Sequence, residues 1–287
     1  MELIPLLRAV LPNDRIKTRL IDLVTYASDA GFYEMIPKAV VQPQTVAEVQ
    51  GLFLVAKRLK MPLVFRAGGT SLSGQSITNG ILVDLSQHWR GITAQPQSGT
   101  VTVQPGITGA MVNHYLKPYQ LKIGPDPSSI TAAMMGGILS NNASGMCCGV
   151  AHNSYHTLHS IHFVLPNGNA YNTAVDADYE RFMTQDAGIA NALGQLRSQV
   201  MASEALHQRI RQKYRTKNTV GYGLNALVDF EHPLDVLAHL LIGAEGTLAF
   251  IAEATLITLP DKPFKATGML YFASIEDACD SILPLKA

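Results

Sequence analysis

A chain of 287 residues, 47% hydrophobic and 15% charged, has enough apolar material for one large domain or two modest ones, and this composition excludes intrinsic disorder. Its 22 basic and 22 acidic residues cancel, so no bulk charge draws it to nucleic acid or to an anionic membrane. No run reaches the roughly 18 apolar residues of a membrane span. Three cysteines, two of them adjacent (Cys147 and Cys148), make no disulfide framework, and a reducing cytoplasm is the expected compartment.

Leu3, Leu6, Leu7 and Val10 recur at helical spacing until Pro12-Asn13-Asp14, and a second helical pattern runs through Ile16, Leu20, Leu23 and Val24. Ala39-Val40-Val41 reads as a strand. Thr45 and Glu48 have capping-box spacing and open a helix through Leu59. Leu63 to Phe65 is a short strand running into Arg66-Ala67-Gly68-Gly69-Thr70-Ser71-Leu72-Ser73-Gly74-Gln75, and Ile81 to Leu85 is the next strand. Residues 38–86 thus form a β-α-β-loop-β unit.

The glycine-rich loop is the first candidate site. Glycine lets backbone amides approach a ligand and permits positive φ, and successive amides form a concavity for anions. Thr70, Ser71, Ser73 and Gln75 add hydroxyl and amide donors. A plain surface loop is the alternative; the density of glycine and hydroxyl groups after an apolar strand favours a phosphate cradle. The loop has no Gly-Lys-Ser/Thr and no G-x-G-x-x-G opening a long helix, so neither the P-loop nor the dinucleotide Rossmann fingerprint is present.

Further on, Thr100 to Val103 is a strand and Gly109 to Lys117 a helix. Prolines keep 122–129 out of a helix. Residues 131–145 are crowded with Ala, Gly, Ser and Asn, which permits close approach by a backbone or a flat ligand. Pro166-Asn167-Gly168 between two apolar runs signals a hairpin. Residues 187–214 are helical in pattern, and Leu248 to Leu259 is one or two strands after Gly243-Ala244-Glu245-Gly246-Thr247. Past Pro260 and Pro263, Thr267 to Phe272 reads as a strand, and Ser274 caps a helix running to the end.

Three segments therefore share one small, polar, glycine-rich character: 66–76, 124–145 and 243–248. Their order, RAGGTSLSG, then PDPSS with GGILSNNASG, then GAEGTL before an alternating strand, resembles the PCMH-type FAD-binding fold of the vanillyl-alcohol oxidase class. Within it, the likeness is to the D-2-hydroxyacid dehydrogenases: D-lactate dehydrogenase, glycolate oxidase flavoprotein subunits and D-2-hydroxyglutarate dehydrogenase.

The resemblance implies an α+β fold of two subdomains followed by the start of an α/β cap. The divisions it implies are a helical segment at 1–35, subdomains at 36–95 and 96–262, and cap from 263 to 287. It implies contacts to FAD from Arg66, Ala67, Gly68, Gly69, Thr70, Ser71, Gly74 and Gln75. Pro125, Asp126, Ser129, Thr131, Gly136, Gly137, Asn141 and Gly145 are placed along the cofactor, with Glu245, Gly246 and Ile251 beside it. Ala67 stands where relatives often have glycine and requires a negative φ. Thr70 stands where covalent members of the class carry histidine, so non-covalent FAD is expected.

The reaction implied is oxidation of a D-2-hydroxy acid to the 2-oxo acid. An iron–sulfur region or subunit would be the electron acceptor, and any inner-membrane association would be peripheral and through partners. In that family most substrate-side residues lie in and beyond the cap. No catalytic base is assigned here, and a chain inactive by itself is expected. A non-catalytic FAD-binding subunit and an NADPH-dependent reductase of the same fold are the alternatives. His152, His156, His159 and His162 suggest a metal, but a strand through 158–165 prevents their convergence. Cys147 and Cys148 read as small buried thiols. Lys217, Asn218 and Tyr222 sit in a glycine-bracketed loop that either faces the substrate side or is a structural turn.

Overall fold

The computed structural model describes residues 2–286. Two sheets organise it. The first has four strands in the order β1 (Ile16–Lys17), β2 (Ala39–Val41), β4 (Ile81–Asp84), β3 (Leu63–Arg66). Strands β2, β3 and β4 are parallel, and β1 adds antiparallel to β2. Parallel pairing requires a crossover, which the helix Val46–Leu59 supplies. Thr45 and Glu48 close its capping box, and Lys60 ends it in the left-handed region. Val49, Leu52 and Val55 line the face turned to the sheet and are buried with Ala39, Val41, Ile81 and Val83.

The second sheet is antiparallel in the order β5 (Ile92–Gln95), β6 (Thr100–Val103), β10 (Phe250–Pro260), β8 (Leu158–Val164), β9 (Ala170–Asn172), with β7 (Leu121–Ile123) also on β10. The turn at 165–169 closes the β8–β9 hairpin as Pro-Asn-Gly predicts. Strand β5 pairs with β6, so by sheet membership it lies on the far side of the division expected at residue 95. The helices Asp176–Gln185, Ala187–Ala202, Glu204–Lys213 and Pro233–Leu240 follow β9, and the main core lies between such helices and this sheet. The two sheets meet where Phe250, the first residue of β10, stacks on Phe65 of β3 at 4.6 Å and meets Trp89 edge-on at 5.1 Å.

Two expectations are corrected. Ile16 is not helical: it begins β1, opposite Val41, and the helix covers only Leu20–Val24. Thr267 to Phe272 is not a strand. A strand needs a partner for its backbone groups, and among the described residues no backbone group hydrogen-bonds to it; Phe264, Met269 and Tyr271 are exposed. Ser274 does cap a helix, Ile275–Asp280, but that helix stops and a second turn of helix, Ile282–Lys286, follows.

Candidate functional site

A cleft of about 430 Å³ opens where the sheets meet, within the range of small-molecule and cofactor sites. All three glycine-rich segments reach it. Its wall includes Ala67, Gly68, Gly69, Thr70, Ser71 and Gln75 from the loop after β3. Ser129, Gly136, Gly137 and Asn141 come from the second segment, Glu245 and Gly246 from the third, and Ile251 from the start of β10. Phe65 and Phe250 form part of the floor.

The first loop leaves β3 with its amides uncommitted. No amide from Gly68 through Leu72 donates to another protein group among the described residues. Gly69 has φ +63°, whereas Ala67 keeps φ out of the positive region, as its side chain requires. The neighbouring backbone is very close. A Cβ on Gly68 would lie 2.6 Å from the Ala132 carbonyl oxygen and 3.2 Å from the Met134 nitrogen. The loop is thus pressed against the start of the helix Met135–Asn141, and only glycine fits the contact.

The far end of that helix is tied to the third segment. Asn142 caps it in the left-handed region. The amides of Gly243 and Glu245 then donate to the carbonyls of Leu139 and Ser140. Glu245 has φ +53°, unusual for a residue with a side chain, and its carboxylate accepts from the Asn141 side chain at 2.6 Å.

Six expected site residues do not line the cleft. The Arg66 guanidinium points away and donates to the Ser28 and Tyr26 carbonyls, 2.7 and 3.3 Å off. A Cβ on Gly69 would meet that guanidinium at 2.7 Å, so Gly69 is needed partly to make room for it. Gly74 turns the loop at φ +79° beside Tyr33. Pro125 is buried and Thr131 exposed outside the wall. Asp126 accepts from the amides of Gly145, Cys147 and Cys148 at 3.0, 2.9 and 3.1 Å. Burial alone would raise its pKa, but these donors outweigh it and hold the carboxyl below its ordinary value. Gly145 packs on Asp126 so closely that a Cβ would overlap the Asp126 carbonyl oxygen. Arg66, Asp126 and Gly145 brace the loops from behind.

Lys217 and Thr219 are in the wall, whereas Asn218 and Tyr222 of the same loop are not. Lys217 Nζ donates to the Ser144 carbonyl at 3.2 Å. It is the one cation among the lining residues, and Glu245 the one anion. Sequence reasoning missed Thr219 and Phe250 as wall residues, and nothing local marks them; Ser144 lies within the second segment but was not singled out. Cys148 is buried, but Cys147 is exposed, correcting the reading of both as buried. His159 is exposed and His162 half-buried on β8, and burial pushes the His162 imidazole below its ordinary pKa. Among the described residues, no three metal-ligating side chains cluster.

Comparison with known proteins bears directly on this cleft. Residues 37–174 match the FAD binding domain family. The chain is 30% identical over 281 residues to D-2-hydroxyglutarate dehydrogenase of Escherichia coli (strain K12), covering 93% of this chain and 26% of that protein. It is 26% identical over 247 residues to the mitochondrial D-lactate dehydrogenase [cytochrome] of Arabidopsis thaliana, covering 85% and 34%. The chain thus spans about a quarter to a third of the length of these relatives. The structure of p-cresol methylhydroxylase with substrate bound superposes with a TM-score of 0.61 at 16% identity, over 91% of this chain and 44% of that one.

The cleft fits FAD on its own chemistry. A dinucleotide presents a doubly charged pyrophosphate, which a run of uncommitted amides and hydroxyls accommodates, and a flat ring system, which a wall of Gly136, Gly137 and Ile251 admits. Over residues 37–174 the chain matches the FAD binding domain family, and over most of its length it is similar to D-2-hydroxyglutarate dehydrogenase and D-lactate dehydrogenase.

Proposed function

We propose that this chain is the cofactor-holding part of a dehydrogenase that oxidises a D-2-hydroxy acid (D-lactate, glycolate or D-2-hydroxyglutarate) to its 2-oxo acid. The observation that carries the reading is the run of uncommitted amides from Gly68 to Leu72 in the wall of the cleft. Similarity to the named dehydrogenases supports the substrate class.

In this reading those amides, with the Thr70 and Ser71 hydroxyls, hold the pyrophosphate. Ser129, Gly136, Gly137 and Asn141 lie along one side of the cofactor, and Glu245, Gly246 and Ile251 along the other. The bound flavin supplies the hydride acceptor for the hydrogen on the substrate's C2. The chain's own residues orient the cofactor and exclude water from one face. They offer no free general base: Glu245, the only carboxylate in the wall, is engaged by Asn141. Removal of the hydroxyl proton therefore falls to residues outside this wall, and the chain alone binds FAD without turning over.

Purified chain titrated with FAD should take up about one equivalent, with a structured flavin absorbance band. It should not reduce a dye with D-lactate, glycolate or D-2-hydroxyglutarate. No bound flavin at saturating FAD would overturn the proposal.

A further inference from the structure

One part of the cleft wall is held unlike the rest. Between the helices Glu204–Lys213 and Ala226–Asp229 the chain forms neither helix nor strand. No backbone amide or carbonyl from Thr216 through Gly221 hydrogen-bonds to another protein group among the described residues. Gly221 turns at φ +73° with nothing within 4 Å of its Cβ position. Every residue from Arg215 to Tyr222 is exposed except the half-buried Asn218. Yet Lys217 and Thr219 of this segment line the cleft.

Three side chains fix the segment in place. Tyr214, half-buried against the main core, draws its two ends together: the hydroxyl donates to the Tyr222 carbonyl at 2.9 Å and accepts from the Leu224 amide at 3.0 Å. Lys217 Nζ donates to the Ser144 carbonyl, in the second glycine-rich segment, at 3.2 Å. The Tyr222 hydroxyl meets Thr247 Oγ1, in the third, at 2.9 Å. Thr247 gives its own proton to the Ala244 carbonyl at 2.7 Å, so Tyr222 is the donor of that pair. Both bonds to the glycine-rich segments are solvent-exposed. Lys217 and Thr219 also line a second, polar cavity of about 30 Å³, shared with Asn142, His156 and Asn225. The segment is thus a strap with free space on two sides, a pinned base and two exposed latches.

We propose that residues 215–223 open by releasing the Lys217 and Tyr222 bonds and close to retain a dinucleotide in the cleft. This role rests on the function proposed above. A segment with few packed contacts and exposed hydrogen bonds opens locally at low cost, and closure of such a segment over a ligand holds it in its site. A ligand shifts this balance only through contacts that differ between the two states. Here a dinucleotide is anionic and Lys217 is the one cation among the lining residues, so occupancy favours the closed strap. Tyr214 is the pivot, because its hydroxyl bonds hold the base of the strap while the ring stays packed on the core. Neither Tyr222 nor Thr247 lines the cleft, so their effect on cofactor retention runs through the strap.

The test uses the whole chain with and without FAD. Trypsin cleaves after Arg215, which is on the strap but outside the cleft wall, and after Lys265, which is exposed and also outside it. Saturating FAD should slow cleavage after Arg215 about tenfold and leave cleavage after Lys265 unchanged. The FAD release rate, read from the return of flavin fluorescence on dilution, should rise about fivefold or more in Tyr222→Phe. Thr247→Val should raise it by a similar factor, and the double variant no further, since one bond is lost in all three. If Tyr222→Phe does not fold, Thr247→Val and the Arg215 cleavage of the unaltered chain carry the test. Equal cleavage after Arg215 with and without FAD would overturn the proposal. So would an unchanged release rate in the folded variants, or effects of the two substitutions that multiply. A chain that binds FAD but fails these measurements loses the strap and keeps the proposed function, whereas a chain that binds no FAD loses both.

Discussion

The Asn141 side-chain amide donates to the Glu245 carboxylate across 2.6 Å, joining residues 104 positions apart. The bond ties the end of the helix Met135–Asn141 to a turn in which Glu245 sits at φ +53° between Gly243 at +89° and Gly246 at +72°. A residue with a side chain persists there because the bond and the amide contacts to Leu139 and Ser140 hold it.

This coupling makes a graded prediction. Glu245→Ala keeps the backbone strain and loses the bond, and should destabilise the fold by about 1–3 kcal/mol while weakening FAD binding. Glu245→Gly relieves the strain and should recover part of the stability but not the FAD affinity. Thermal unfolding with and without FAD separates the two effects.

Two glycines in the cleft should respond oppositely. A Cβ on Gly68 meets backbone at 2.6 Å, so Gly68→Ala should cost about 1–3 kcal/mol of stability as well as FAD affinity. Gly137 has nothing within 4 Å of its Cβ position and faces the cleft. Gly137→Ala should raise the stability of the FAD-free chain by roughly 0.5–1 kcal/mol, because alanine favours the helix. Gly137→Leu should leave the fold intact and lower FAD affinity at least about tenfold, roughly 1.4 kcal/mol. Calorimetric titration reads the affinities, and chemical denaturation the stabilities.

Asp126 should make stability pH-dependent on the acid side. Its folded pKa lies below the ordinary 3.8, so its contribution is fully present above that value and is lost as pH falls through the lower folded one. Asp126→Asn should destabilise by about 1–2 kcal/mol near pH 7, and the gap to the unaltered chain should close as pH falls through the lowered folded-state value. Urea denaturation across that range checks the sign.

Covalent flavin attachment uses histidine, cysteine or tyrosine, and none of these lines the cleft, where Thr70 stands in the loop after β3. Acid precipitation of FAD-loaded chain should leave all of the flavin in the supernatant. Flavin retained on the protein pellet would refute non-covalent binding.

Local chemistry made much of this legible in the sequence. Thr45 and Glu48 announced a helix start because a capping box is satisfied within four residues. Leu63 to Phe65 followed by two glycines announced a strand running into an amide cradle, and Pro166-Asn167-Gly168 a hairpin. These signals are contained in the chain segment that answers them. Thr267 to Phe272 had strand-like composition as well, yet a strand depends on a pairing partner, and none pairs with it among the described residues.

The wall of the cleft divides along the same line. Ala67 to Ser71, Gly136, Gly137 and Glu245 were recognisable because glycine and small polar residues are rare in such density without a reason. Arg66 and Asp126 looked equally suited to a cofactor, but their charges are turned to carbonyls and amides behind the loops. Composition cannot tell a group that faces a ligand from one that braces the segment facing it.

By itself, then, the sequence determined the helix caps, the hairpin turn and the glycine turns, because each depends on residues a few positions apart. Tertiary structure decided the stacking of Phe250 on Phe65, the grip of Asn141 on Glu245, and the arrival of Lys217 in the wall of the cleft. Those relationships join residues far apart in the chain, and only the packing of the two sheets brings their side chains together.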